Sequence, residues 1–460
     1  MNSVQYRKTI FSLAWPIFVE QLLISLVQAA DSAMVGSLGA VSTAAVAINY
    51  PATMLINGII MAFGIGFTAL IAQSIGAQDP DRAERLTLQA ILLIIATGLG
   101  MSVLVFLLAR KIPFWLGGGQ EILDEAEIYN RILALSLTFR GLTMVLTAIN
   151  RGYGDSRTPM KINVFVNVLN VTGNFFMIYP TRTVSVLKME LTVAGCGWGV
   201  AGAAVSTCLS EIIGGTALLI MALSGRGAIR IHGLRGKRMT WQDLPEVLKI
   251  SFPAMLERFT MSTAFLVVGR AVASLGTAAI AAQNLAGAAE SISFMPGFAF
   301  GNAITTLFGQ SVGAGEDEKA HCYVVESIRM GSAVMAVMSV LMFVFSTSVM
   351  GIFTRDPEVI VMGSVIMKLS ALIQIPQMIA SVYSGALKGA GDAHSSFIIA
   401  LISMWGIRLA GTVICVHVFH MGIAEANICI CVDCTVRCLL YHLRYRQGLW
   451  RKENRQPVKA

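Results

Sequence analysis

The sequence predicts an all-α integral membrane protein with twelve transmembrane helices in two pseudo-symmetric six-helix lobes, both termini cytoplasmic. Three observations carry this expectation. Only 13% of the 460 residues are charged, 55% are hydrophobic, and the mean hydropathy is +0.70, whereas a soluble chain carries about 25% charged residues. Twelve apolar runs are long enough to cross ~30 Å of hydrocarbon, which takes about 20 helical residues. The second half of the chain repeats the first at a fixed offset. So little charge cannot cover a water-facing surface of this size, which excludes an ordinary soluble enzyme and a disordered chain.

The runs fall near residues 10–34, 46–74, 88–109, 127–149, 160–180 and 193–223, then 247–273, 280–312, 324–352, 362–387, 395–417 and 421–442. They divide the chain into a first lobe (1–223), a cytoplasmic inter-lobe loop (224–246), a second lobe (247–442) and a basic cytoplasmic tail (443–460). Orientation follows from lysine and arginine, which accumulate on the cytoplasmic side. Arg226, Arg230, Arg235, Lys237 and Arg238 crowd the middle loop; Arg444, Arg446, Arg451, Lys452, Arg455 and Lys459 crowd the tail. The opposite side holds Arg110, Lys111, Arg182, Lys188 and Arg355. Topology next to anionic lipid therefore accounts for the net charge of +8, and no nucleic-acid partner is implied.

At an offset of 237, Pro16 meets Pro253, Glu20 meets Glu257, and Ser37-Leu38-Gly39 meets Ser274-Leu275-Gly276. Gln73-Ser74 falls on Gln310-Ser311, and Gly152, Gly154 and Asp155 fall on Gly389, Gly391 and Asp392. From 16 to 83 there are 20 identities in 68 ungapped positions. Apolar bias could match Ala or Leu by chance, but not Pro, Glu, Gln and Asp at one offset. Six spans per copy is an even number, so both copies enter the membrane from the same side, related by an axis along its normal. Two such bundles enclose a central cleft that rocking opens to either face. The expected class is a transporter working by alternating access, complete in one chain and functional as a monomer.

The pattern Trp15-Pro16, Glu20, Asp31, Val35-Gly36 and Leu38-Gly39 resembles the multidrug and toxic compound extrusion (MATE) transporters. So do Ile71-Ala72-Gln73 with Gly76-Ala77 and Asp79, the Gly152–Asp155 turn, Gly199–Ala204, Pro296–Gly315, and Trp405–Arg408 followed by Asp433, Arg437 and Gly448-Leu449-Trp450. The resemblance covers about 440 residues. It implies a two-lobed multi-pass protein of the cell membrane, the inner membrane in a bacterium. It further implies export of small amphipathic, often cationic, drug-like compounds in antiport with Na⁺ or H⁺. Membrane lipid is the other partner, and no cofactor is expected beyond the transported ion. A flippase for a lipid-linked precursor is the alternative within the same superfamily; it is expected to line its cavity with several Arg or Lys.

Ionisable side chains inside hydrocarbon are functional candidates by default. About six acids fall within spans: Glu20, Asp31, Glu211, Glu257, Glu290 and Asp433. Glu20 and Asp31 are eleven residues apart, which places them within about 20° on one helix face and ~16 Å apart along the axis. Asn163, Asn167, Asn170 and Asn174 form a single polar stripe in the fifth run. Interhelical hydrogen bonding is the plain reading for Asn163 and Asn167. Asn170 and Asn174 match positions that, in the archaeal and DNA-damage-inducible branch of the family, line the first-lobe cation site with the first-helix Asp. Thr207 matches a further site residue. The resemblance thus implies a cation-coupling set of Asp31, Asn170, Asn174 and Thr207.

One departure has chemical consequences. That branch usually has Asp where this chain has Asn174, so no paired-carboxylate relay is available here. One carboxylate with amide and hydroxyl oxygens suits a hard monovalent cation; alternatively, Asp31 alone takes and releases a proton. Glu20 and Glu257 are expected at the cavity or the cytoplasmic gate. Glu290 stands where the first copy has Thr53 and either attracts substrate or pairs with a buried Arg. Ala410 replaces the proline that usually follows Arg408, which leaves the bend of the eleventh span open.

No catalytic set and no metal site is expected. Cys431, Cys434, Cys438 and His442 share a helix face, but apolar neighbours make the thiols core filler. A Walker-type phosphate loop is absent from the sequence, so ATP is not the direct energy source.

Overall fold

A proline interrupts the first helix of each copy: Pro16 in α1 (Ser3–Gly36) and Pro253 in α7 (Leu244–Ala273). Each removes a backbone donor and loosens the helix there. The segment ahead of each proline packs into the opposite lobe. Ile10 and Leu13 of α1 join the second-lobe core of Phe300, Phe308, Val382 and Tyr445. Val247 and Ile250 of α7 join the first-lobe core of Phe67, Leu70, Leu86 and Ile149. Ile10 and Val247 are repeat equivalents, as are Leu13 and Ile250. The lobes therefore exchange their first helical turns symmetrically.

The protein was analysed as a computed structural model, which describes residues 2–186, 189–225, 227–229 and 241–451. Arg226, Arg230, Arg235, Lys237 and Arg238 of the middle loop, Lys188, and Lys452, Arg455 and Lys459 of the tail lie outside the described residues. The first lobe continues with α2 (Ala40–Gly76), α3 (Pro80–Leu107), α4 (Gln120–Gly152), α5 (Arg157–Met177) and α6 (Gly199–Ser224). The second lobe continues with α8 (Thr277–Gly313), α9 (Asp317–Val344), α10 (Pro357–Gly389), α11 (Ala393–His417) and α12 (Ile423–Arg446). Among the described residues, eight of these are long and apolar enough to cross a membrane by length and composition. α5, α7, α8 and α12 have the length but carry more polar groups. Several of those groups are hydrogen-bonded inside the bundle, as lipid exposure would demand.

The turns repeat as the sequence does. Asp155 accepts from the backbone N–H of Arg157 (2.9 Å) and Thr158 (3.1 Å), and its counterpart Asp392 accepts from that of Ser395 (3.2 Å). Such caps satisfy amides that the first helical turn leaves free. The preceding glycines, Gly154 (φ +93°) and Gly391 (φ +91°), adopt the same left-handed backbone.

Two features depart from the expected spans. Residues assigned to the start of the sixth run instead form an antiparallel hairpin, β1 (Pro180–Val186) with β2 (Met189–Cys196), and α6 begins only at Gly199. Thr181, Thr183, Val184 and Val186 in β1, continued by Thr192 and Val193 in β2, favour strand over helix. α11 widens into a π-helical stretch over Ile402–Leu409 before regaining α geometry. Arg408, in this stretch, donates through Nε to Asp433 Oδ2 at 2.8 Å, and Asp433 also pairs with Arg437. The irregularity thus coincides with a buried ion cluster.

Candidate substrate cavity and cation site

Both lobes contribute to a cavity of about 600 Å³. Its walls repeat: Glu20 and Glu257, Thr68 and Thr305, Thr147 and Ser384, and Arg151 and Lys388 are lining residues related by the 237 offset. Met61 and its equivalent Phe298 supply apolar wall.

The cavity closes at the helix ends that the basic residues place in the cytoplasm. Gln73 Nε2 donates to the carbonyl oxygen of Gly389 at 2.8 Å, and Gln310 Nε2 donates to that of Gly152 at 3.0 Å. Both bonds cross between lobes and are repeat equivalents of each other. Arg7 of α1 pairs with Glu326 of α9 at 2.7 Å, and Arg82 pairs with Asp243 at 3.2 Å, on the same side. These cross-lobe contacts all lie at the helix ends flanked by the basic segments, so the lobes are joined on that side.

Inside the cavity each conserved-offset acid has a basic partner. Glu20, 3% exposed, accepts from Arg151 Nη2 at 2.6 Å and from Asn163 Nδ2 at 2.8 Å. Glu257, 8% exposed, accepts from Lys388 Nζ at 2.9 Å and Ser396 Oγ at 3.3 Å. A third pair has no repeat equivalent: Glu211 Oε2 accepts from Ser136 at 2.6 Å, and its Oε1 lies 3.6 Å from Arg140 Nε. The acids are visible in the sequence as charges inside apolar runs, whereas the roles of Arg151, Lys388 and Arg140 emerge only from the packing. Arg151 and Lys388 were detectable, since both are basic at the same offset as the two glutamates.

The four residues of the expected cation set converge in the first lobe, where α1, α5 and α6 meet. Asn174 Nδ2 donates to Asp31 Oδ1 at 2.5 Å. The Asn170 side-chain amide lies 3.1 and 3.3 Å from the two Asp31 oxygens and 3.1 Å from Thr207 Oγ1. With its nitrogen toward Asp31, the amide donates to the carboxylate and accepts from Thr207. With its oxygen there, it adds a second oxygen beside the carboxylate. Asn174 Oδ1 is buried without a hydrogen-bond partner. An oxygen set of this kind, one formal charge with neutral amide and hydroxyl donors, fits a hard monovalent cation.

Asn163 and Asn167 of the same stripe face the cavity instead. Glu290 lies outside the cavity lining: its Oε2 accepts from Ser370 Oγ at 2.9 Å, and Arg408 is within its electrostatic reach. Asp31 and Glu290 therefore belong to different places, one in each lobe, and the second lobe has Val268 where the first has Asp31. His442, from the helix face bearing three cysteines, has its Nδ1 2.8 Å from the Tyr383 hydroxyl.

The MatE family profile matches the chain twice, over residues 16–176 and 253–414. The chain belongs to the MatE family. The two matches begin 237 residues apart, the offset of the internal repeat. Among curated relatives of the MatE chain, a probable multidrug resistance protein NorM of Thermotoga maritima is 28% identical over 449 residues, covering 97% of this chain and 94% of the relative. The multidrug resistance protein PmpM of Pseudomonas aeruginosa is 24% identical over 409 residues, covering 87% and 82%. Solved structures share the fold. A MATE crystal structure in complex with MaL6 superposes with a TM-score of 0.88 at 21% identity, covering 98% of both chains. A multidrug resistance MATE transporter in an outward-facing conformation gives 0.87 at 21% identity over 98% of both. The protein is accordingly a multi-span membrane protein with the MATE fold.

Proposed function

We propose that this MatE chain is a secondary active exporter of amphipathic drug-like compounds, working by alternating access in antiport with Na⁺ or H⁺ bound at Asp31. The observation carrying this reading is the duplicated cavity wall, sealed on the cytoplasmic side by repeat-equivalent bonds. Such a closure opens only by rocking one lobe against the other. The relatives named for multidrug resistance support the substrate type. Asp31 with Asn170, Asn174 and Thr207 supplies a site of one formal charge, apart from the cavity, suited to a monovalent ion. Occupation of that site biases the α1 conformation, because Asp31 and the cavity acid Glu20 lie on the same helix.

The test is efflux of an amphipathic dye from everted vesicles under imposed Na⁺ or H⁺ gradients. Uptake into the vesicle that follows one gradient and collapses when it is dissipated is the expected result. Gradient-independent dye distribution would sink the proposal.

A second reading, a flippase for a lipid-linked precursor, has one specific observation in its favour. Five basic side chains (Arg140, Arg151, Arg258, Lys388 and Arg437) line the cavity, against three acids. Translocation of a labelled lipid-linked precursor across the same vesicles, without dye transport, would favour it.

A further inference from the structure

The two copies of the cavity wall differ at a few positions, and there the charge is decided. Glu20, Glu211 and Glu257 each face a basic partner inside the lining: Arg151, Arg140 and Lys388. These pairs are close to neutral as units. Arg258 is the repeat equivalent of Gln21, so the second copy has a cation where the first has an amide. Among the described residues Arg258 has no acidic partner, and its Cβ lies 3.9 Å from a Cβ built on Gly58 across the lobe interface. Arg437 also lines the second-lobe wall, sharing Asp433 with Arg408. Counting Arg408, Asp433 and Glu290 behind the wall still leaves one positive charge in excess, carried by Arg258. Apolar surface stands close by in sequence and space, with Met261, one turn from Arg258, and Phe294 and Phe298 of α8.

We propose that Arg258, assisted by Arg437, anchors an anionic group, a carboxylate, sulfonate or phosphate, on an amphipathic substrate whose apolar body rests on Met261, Phe294 and Phe298. A guanidinium presents planar paired donors that match such oxyanions. A low-dielectric cavity with an uncompensated cation disfavours a second cation. The substrate class of this exporter is therefore anionic or zwitterionic amphiphiles rather than simple cations. This assignment rests on the cavity being the transport site.

The purified full chain in detergent is titrated with carboxyfluorescein and, separately, with ethidium; everted vesicles then carry the same two dyes under imposed gradients. Carboxyfluorescein is expected to bind at least tenfold more tightly than ethidium. Arg258→Gln, the residue already present in the other copy, is expected to weaken carboxyfluorescein by about tenfold, the scale of one charge-assisted hydrogen bond, and to strengthen ethidium. Arg258→Glu is expected to reverse the preference. A third arm follows flipping of fluorescently tagged phosphatidylglycerol. Its movement with carboxyfluorescein left behind assigns the anion to a lipid headgroup; the converse assigns it to a free organic anion. Ethidium bound more tightly than carboxyfluorescein by the wild-type protein, or binding of carboxyfluorescein unaltered by Arg258→Gln in a normally folded variant, overturns the assignment. Anion binding that depends on Arg258 without gradient-driven movement of any probe upholds the anion site and overturns the exporter reading instead.

Discussion

Gly76 of α2 lies so close to Gln310 of α8 that a Cβ at residue 76 would fall 1.9 Å from the Gln310 carbonyl oxygen. The repeat partner behaves alike, with a Cβ on Gly313 placed 2.0 Å from the carbonyl oxygen of Gln73. The two glutamines then donate to Gly389 and Gly152. Close backbone approach and side-chain bonds form one duplicated latch across the cytoplasmic ends of the lobes. Small residues permit this approach within a membrane, where apolar burial alone gives no driving force.

Gly76→Val is expected to prevent closure of the cytoplasmic side while leaving each lobe folded. The contact is with backbone, which cannot rotate away as a side chain could. Spin labels on Gln78 and Lys319 should report a longer distance distribution in the variant, with gradient-driven efflux lost. An unchanged distribution would show that the helices re-pack around the added methyls.

Gln73→Ala and Gln310→Ala remove equivalent bonds. Each is worth about 0.5–1.5 kcal/mol, so each variant should raise the open population several-fold, and the double variant should raise it further. The same spin-label distance reads this, and because both bonds belong to one α2–α8 contact the double variant is expected to depart from strict additivity.

Glu20→Gln leaves Arg151 without its carboxylate partner in a mostly buried position. Losing one member of a buried pair costs ~3–5 kcal/mol when burial is complete, and water in the cavity reduces this to at most about 3. A lowered thermal midpoint in detergent is expected, with partial recovery in Glu20→Gln/Arg151→Gln. Glu257→Gln should behave in parallel because Lys388 repeats Arg151.

Asp31→Asn removes the only formal charge from the oxygen set formed with Asn170, Asn174 and Thr207. Efflux driven by the coupling gradient should fall at least tenfold while the protein elutes as folded material. Counter-flow of substrate without a gradient should persist, since Asp31 does not line the cavity. Full gradient-driven efflux in Asp31→Asn would remove Asp31 from the coupling mechanism.

Much of this was legible along the chain because hydrocarbon imposes a strict filter. A charged residue is rare there, so Glu20, Asp31 and Glu257 stood out, and a constant offset exposed the duplication. Asn170 and Asn174 were legible as a stripe of period 3.6, and their convergence on Asp31 follows from α5 lying against α1. The hairpin at 180–196 was not legible, since β-branched apolar residues suit either a strand or the start of a span. The π-helical stretch of α11 coincides with an ion pair between residues 25 positions apart, a pairing no local pattern encodes.

The sequence by itself determined the membrane class, the duplication, the orientation and the few acids worth attention, since hydropathy, repeat offset and Lys/Arg placement are properties of the linear chain. Only the tertiary structure decided which charges cancel. In all three pairs Arg151, Lys388 and Arg140 come from helices distant in sequence from the acids they neutralise, and packing alone brings them within reach. Arg258 sits beside Glu257 in sequence yet has no acidic partner among the described residues, because Glu257 turns to Lys388. The electrostatic character of the cavity is thus a property of the fold, set by the sum of pairings across helices.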